Sequence, residues 1–70
     1  MPTGTVKWYS AEKGYGFIRP DDGAGDIFLH IREVEAAGID ILREGQKISY
    51  EPVSDRKTGR IKAGRLQLQD

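Results

Sequence analysis

The side chains with the most chemical capacity in this chain are rings set beside cations. Residues 13–18 read KGYGFI and residues 27–31 read IFLHI, so Tyr15, Phe17, Phe28 and His30 alternate with small or aliphatic neighbours. Lys7 precedes Trp8 and Tyr9, Lys13 stands before Tyr15, Arg19 lies in line with Phe17, and His30 in line with Phe28. Flat rings interleaved with positive charge suit a single-stranded nucleic acid, because each unpaired base offers a π face and each phosphate a charge to neutralise. Stacking contributes on the order of 1 to 3 kcal/mol per base, so a few platforms hold a strand without a large excess of charge. Two other readings compete. The rings are core, as an arbitrary aromatic in a small domain usually is, or they anchor a protein partner, for which Tyr, Trp and Arg are equally favoured.

Other chemistries find little support. The chain has no cysteine and one histidine, which removes disulfides, thiolate metal sites and a cysteine nucleophile. The acidic stretch DDGAGD at 21–26 resembles a calcium loop only superficially. Counted from Asp21 the twelfth position is Arg32; counted from Asp22 it is Glu33, but Ala24 and Ile27 then occupy positions that need a ligand and a glycine. Strand alternation places no serine or carboxylate beside His30, and no glycine loop with its lysine and Ser/Thr is present to cradle a nucleotide. We expect no enzyme activity, no cofactor, no metal and no small-molecule substrate.

The elements that must position the rings are short. Turn signals at 21–26, Gly38, 43–45 and 54–59 separate runs rich in Val, Ile and aromatics, the pattern of an all-β antiparallel sandwich or barrel. Five strands are predicted at residues 4–10, 15–19, 26–31, 46–53 and 60–68, with one helical turn over 32–38 stopped by Gly38. Because successive strand residues point to opposite faces, Ile27, Leu29 and Ile31 share one side and Phe28 and His30 the other. Tyr15, Phe17 and Arg19 lie opposite Gly16 and Ile18. Placing the aliphatic set inside leaves the rings outside, since Arg19 and His30 suit a dry core poorly. Parity sets Trp8 on the side of Val6, so either Trp8 is buried or the first strand bends. A bulge is expected near Gly64, where the apolar phase slips, and Pro52 requires an edge or a bulge. Gly14 and Gly16 either lower the surface beside the rings, so that a strand lies flat, or serve the backbone.

Seventy residues make one domain with a thin core. The start lacks the apolar run of a secretory signal and no stretch approaches membrane-spanning length, so a cytoplasmic protein without membrane association is expected. Formal net charge is zero, yet unevenly spread. Residues 1–19 carry three basic groups against one acid, residues 20–55 three against nine, and residues 56–70 five against one. If the two ends pair as neighbouring strands, their charges gather into one patch, and local sign steers a ligand more than the sum does.

Over GTVKWYSAEKGYGFIRPDDGAGDIFLHI the sequence resembles the first three strands of a bacterial cold-shock domain, with KGYGFI and IFLHI as its two nucleic-acid-binding motifs; the likeness continues through LREGQKISYE. That resemblance implies a five-stranded antiparallel OB-type barrel over residues 1–70, binding single-stranded RNA and DNA and commonly loosening RNA secondary structure as a chaperone. It implies stacking at Trp8, Tyr15, Phe17, Phe28 and His30, backbone contacts at Lys7, Lys13 and Arg19, and an outward bend that exposes Trp8. Ile31, placed inside by parity, corresponds to a residue at the ligand's edge. The family usually carries an aromatic there and often another at Ile39, so two platforms are missing, which shortens or weakens the footprint unless Tyr9 or the tail compensates. Arg60, Lys62 and Arg65 either extend the phosphate track or balance the acidic middle. A monomer is expected. The rival readings are an adaptor that docks a protein on the same aromatic face and a dimer that uses this face against a second copy.

Overall fold

The computed structural model describes residues 2–69. Strands form at β1 (Thr3–Ser10), β2 (Tyr15–Pro20), β3 (Ile27–His30), β4 (Lys47–Ser54) and β5 (Ile61–Leu68), each within a residue of the sequence expectation at either end. Between β3 and β4 runs α1 (Ile31–Ala36), where Val34 is buried. It ends where Gly38 takes φ 74°; Gly38 N–H donates to the carbonyl of Glu35 and Ile39 N–H to that of Val34, a pair of bonds that satisfies the last carbonyls. Six residues hold no helix alone; packing of Val34 into the core holds this one.

The strands pair in the order β1-β2-β3-β5-β4, and β1 returns to β4 through Thr3–Ser49, Gly4–Ile48 and Thr5–Lys47, closing a barrel. The expected antiparallel arrangement holds for every pair but one: β3 and β5 run parallel, with Phe28 opposite Lys62. A tight turn joins only antiparallel neighbours; here α1 and the loop after it carry the chain away from β3, and β5 comes back alongside it in the same direction. The condition that the two charged ends pair as neighbouring strands is not met. β1 has β2 and β4 as neighbours and β5 has β3 and β4, so the basic residues of the two ends flank β2 and β3 from either side.

Inside lie Val6, Ile18, Leu29 and Ile48, almost wholly sequestered, with Val34, Leu42, Tyr50, Ala63 and Leu66; Tyr9, Ile27 and Ile39 pack against them. Each fully buried aliphatic contributes about 1.5–3 kcal/mol of transfer free energy. The alternation assigned Ile18 and Leu29 correctly. It fails at Ile31, which is half-buried, because β3 ends at His30 and Ile31 opens a helix with a different period.

Two bulges set the barrel's bends. In β1, Val6 faces Ile18 and Trp8 faces Phe17, so Lys7 is the unpaired extra residue. In β5, Ser49 faces Gln67 and Glu51 faces Gly64, leaving one extra residue; Arg65 lies within it at φ 45°, the left-handed region where a side chain costs energy. That is the bulge expected near Gly64. Pro52 lies beyond the part of β4 that pairs with β1, so one of its sides meets no strand, as a residue without an N–H requires.

Candidate nucleic-acid interface

The bulge at Lys7 decides where Trp8 points. The extra residue inverts the alternation, so Trp8 shares the outer face with Phe17 instead of following Val6 inward. Across the adjacent strands Phe17 faces Phe28 and Tyr15 faces His30. The result is a continuous field of rings: Trp8 to Tyr15 5.3 Å between centroids, Tyr15 to Phe28 5.9 Å, Phe17 to Phe28 6.0 Å, Tyr15 to Phe17 6.2 Å and Phe28 to His30 6.2 Å. Most of these pairs meet edge to face, which occupies one ring's face and only the rim of its neighbour. Trp8, Tyr15, Phe17 and Phe28 are half-buried, His30 is exposed, and none belongs to the core.

The glycines of KGYGFI serve the backbone. Gly16 points inward, opposite Tyr9, and a Cβ there would sit 2.7 Å from the Tyr9 Cα and 2.9 Å from its Cβ, closer than atoms approach. Gly14 turns the chain between β1 and β2 at φ 84°. Neither levels the ring surface. Gly16 instead lets β1 lie close enough to β2 for Trp8 to reach Tyr15.

Cations border the rings unequally. Lys13 Nζ stands 5.8 Å from the centre of the Trp8 ring, within cation–π range. Lys62 lies opposite Phe28 in the parallel pair, and Arg60, exposed, stands just before β5. Arg19 and Lys7 share the rim of a shallow hollow with Thr5, Pro20, Asp21 and Gly23. Lys7 is already engaged: its Nζ lies 2.8 Å from Asp26 Oδ2. Sequence reasoning missed Asp26 beside this candidate site, since a carboxylate in an acidic loop gave no sign of reaching across to Lys7 of β1. Arg65 pairs with Glu51 at 3.2 Å, so it balances acidic charge and stands apart from the ring field.

His30 has a second task. Its Nδ1 accepts the Arg32 N–H at 3.0 Å and caps α1, so the neutral ring carries its proton on Nε2. Ile31 lines an apolar groove with Tyr9, Val34, Ile39 and Leu42, at the seam between the rings and α1. Burial against the core, with a smaller effect of the Glu35 carboxylate, pushes the Tyr9 hydroxyl above its usual range and keeps it protonated.

Comparison with known proteins places the sequence in a family. The sequence profile described as a 'Cold-shock' DNA-binding domain matches residues 2–68. The chain belongs to the cold-shock domain family. It is 61% identical over 67 residues to a probable cold shock protein, y4cH, of Sinorhizobium fredii, covering 96% of this chain and 97% of that one. It is 52% identical, with the same coverage, to the cold shock protein CspA of Rhizobium meliloti. A probable cold shock protein A of Mycolicibacterium smegmatis is 53% identical over 51 residues, 73% of this chain and 76% of its own. Nucleic-acid binding is the general property of cold-shock domains, and among the described residues of this one no helix is long and apolar enough to cross a membrane.

Proposed function

We propose that this cold-shock domain binds single-stranded RNA and DNA by stacking unpaired bases on Trp8, Tyr15, Phe17, Phe28 and His30. Lys7, Lys13, Arg19, Arg60 and Lys62 meet the backbone, and Ile31 closes the edge of the site. The observation that carries this reading is the unbroken chain of rings with centroids 5.3–6.2 Å apart on one accessible face, bordered by cations. Stacking requires bases out of their pairs, so a duplex is a poor ligand. Capturing only unpaired strands shifts a hairpin's melting equilibrium by mass action, which makes the protein an RNA chaperone in the cytoplasm with no nucleotide hydrolysis, acting as a monomer.

Trp8 fluorescence tests this directly. A short pyrimidine-rich oligonucleotide should quench it strongly, and the same sequence in a duplex should not. Silence toward both would sink the stacking reading and leave the face to a protein partner.

A further inference from the structure

We propose that Glu35 and Asp40 are specificity-determining residues: they end the nucleic-acid track beyond His30 by opposing phosphate, so that the aliphatic groove continuing the ring field stays closed to the strand. The inference rests on the stacking reading and limits the length of strand that this end of the face accepts.

The groove begins where the rings end. His30 is the last residue of β3 and Ile31 the first of α1. Ile31 N–H donates to the Gly14 carbonyl at 3.0 Å, which holds the start of α1 against the turn between β1 and β2. From there an open groove of about 320 Å³ is lined by Tyr9 and Ala11 on one side and by Ile31, Ile39 and Leu42 on the other. Ile41 also lines it and is 67% exposed. Its apolar surface continues that of the rings. Ile31 and Ile39 are aliphatic, however, so a base placed there finds no ring on which to stack.

The charged lining of the groove is wholly acidic: Glu35 from α1 and Asp40 from the segment after it. Both are exposed, and neither enters a described ion pair. Arg32 and Arg43, the cations nearest to them along the chain, are not part of the lining. Added to the larger effect of burial, the Glu35 carboxylate raises the Tyr9 hydroxyl above its usual range, so its field reaches across the groove. The acidic loop between β2 and β3 differs, because its Asp21 is held by Lys47 at 3.0 Å and its Asp26 by Lys7 at 2.8 Å. Each further base that a strand brings comes with a phosphate. At Trp8 that phosphate finds Lys13; in the groove it finds two unpaired carboxylates. Like charge set against one arrangement discriminates as attraction to another does. Exposed carboxylates are usually only solvated; here the lack of pairing coincides with a groove continuous with the rings.

The test compares a pyrimidine oligonucleotide of about four nucleotides, which spans the rings, with one of about eight, both read by Trp8 quenching in the wild-type chain and in E35Q/D40N. Both substitutions keep size and polarity, and an unchanged thermal melt establishes that the variant is folded. At low salt the variant should bind the longer strand about three- to tenfold more tightly than wild type, and the gain should vanish toward about 0.5 M salt as the charges are screened. Its affinity for the short strand should equal that of wild type. E44Q, which removes an exposed carboxylate from the turn before β4, should behave as wild type with both strands. Equal binding of the longer strand by E35Q/D40N and wild type overturns the stop alone. So does a gain of the same size with the short strand or in E44Q, which would trace to overall charge. Absence of quenching in the wild-type chain with either strand overturns the stacking reading and the stop with it.

Discussion

Phe28, like Tyr15, meets three other rings, here Tyr15, Phe17 and His30, while standing outside the core. Its replacement by alanine separates binding from folding. Phe28→Ala should weaken oligonucleotide affinity by roughly 1–3 kcal/mol, the worth of one stacked base, and reduce stability by about 1 kcal/mol, the worth of lost ring pairing. Fluorescence titration and a denaturant melt measure the two. A loss of folding of about 3–5 kcal/mol, the cost of deleting a core ring, would mean that Phe28 supports the barrel from inside. At this scale the sequence was legible wherever alternation ran unbroken: Phe17, Phe28 and His30 outward, Ile18 and Leu29 inward. At Trp8 parity alone left burial or a bend open, because alternation fails across a bulge and nothing local to Lys7 announces one; the outward bend came from the family resemblance. The sequence did not foretell Asp26, whose approach to Lys7 depends on the β2–β3 loop folding back toward β1.

At the scale of elements, two seams hold the ring-bearing strands in place. The first is the close approach of β1 to β2 over Gly16. Gly16→Ala should force the Tyr9 backbone away, costing about 1–3 kcal/mol as overpacking does. At 4–8 °C per kcal/mol for a domain of this size, the melting temperature should fall by roughly 5–20 °C, with Trp8 emission altered as its ring leaves Tyr15. Gly25→Ala, with nothing within 4 Å of its Cβ, should melt as the parent does; an equal fall there would remove the steric explanation. The second seam ties the starts of β1 and β4. The Asp21 carboxylate accepts the Thr3 hydroxyl at 2.6 Å and the Lys47 ammonium at 3.0 Å, and these bonds hold the Asp21 carboxyl below its usual range. A carboxyl whose pKa is depressed by folding contributes stability that is present above its unfolded value, near 3.8, and is lost as pH falls through the folded one. Asp21→Asn should therefore melt below the parent at pH 7, and the deficit should shrink as pH drops under about 4. A deficit independent of pH would assign the effect to packing. Strand existence was legible because Val, Ile and turn residues mark it locally. The parallel pairing of β3 with β5 was not, since it joins strands separated by α1 and β4, and with it the question of whether the two basic ends pair stayed open.

For the whole molecule, a formal net charge of zero describes the interface poorly. What matters is which cations remain free at the rings. Lys47 and Arg65 are held by Asp21 and Glu51 away from the rings, and Lys7 is held by Asp26 at their border. Lys13, Arg19, Arg60 and Lys62 border the face with no described ion pair, so a strand long enough to cover only the rings gains about three or four phosphate contacts. Each contact on a single strand contributes ~0.7 to the slope of log affinity against log salt, which gives a slope near −2 to −3. Lys7 adds little to it, because a phosphate that displaces Asp26 exchanges one anion for another. Titrating Trp8 with a short pyrimidine strand between about 0.05 and 0.5 M salt measures the slope. A value several-fold steeper would mean that long-range charge governs binding and that the rings add little. A slope near zero with intact quenching would mean that the bordering cations stay solvated and that stacking alone carries the affinity. The intermediate value follows only if rings and cations act on the same strand at once, which is the arrangement that β1, β2, β3 and β5 build together.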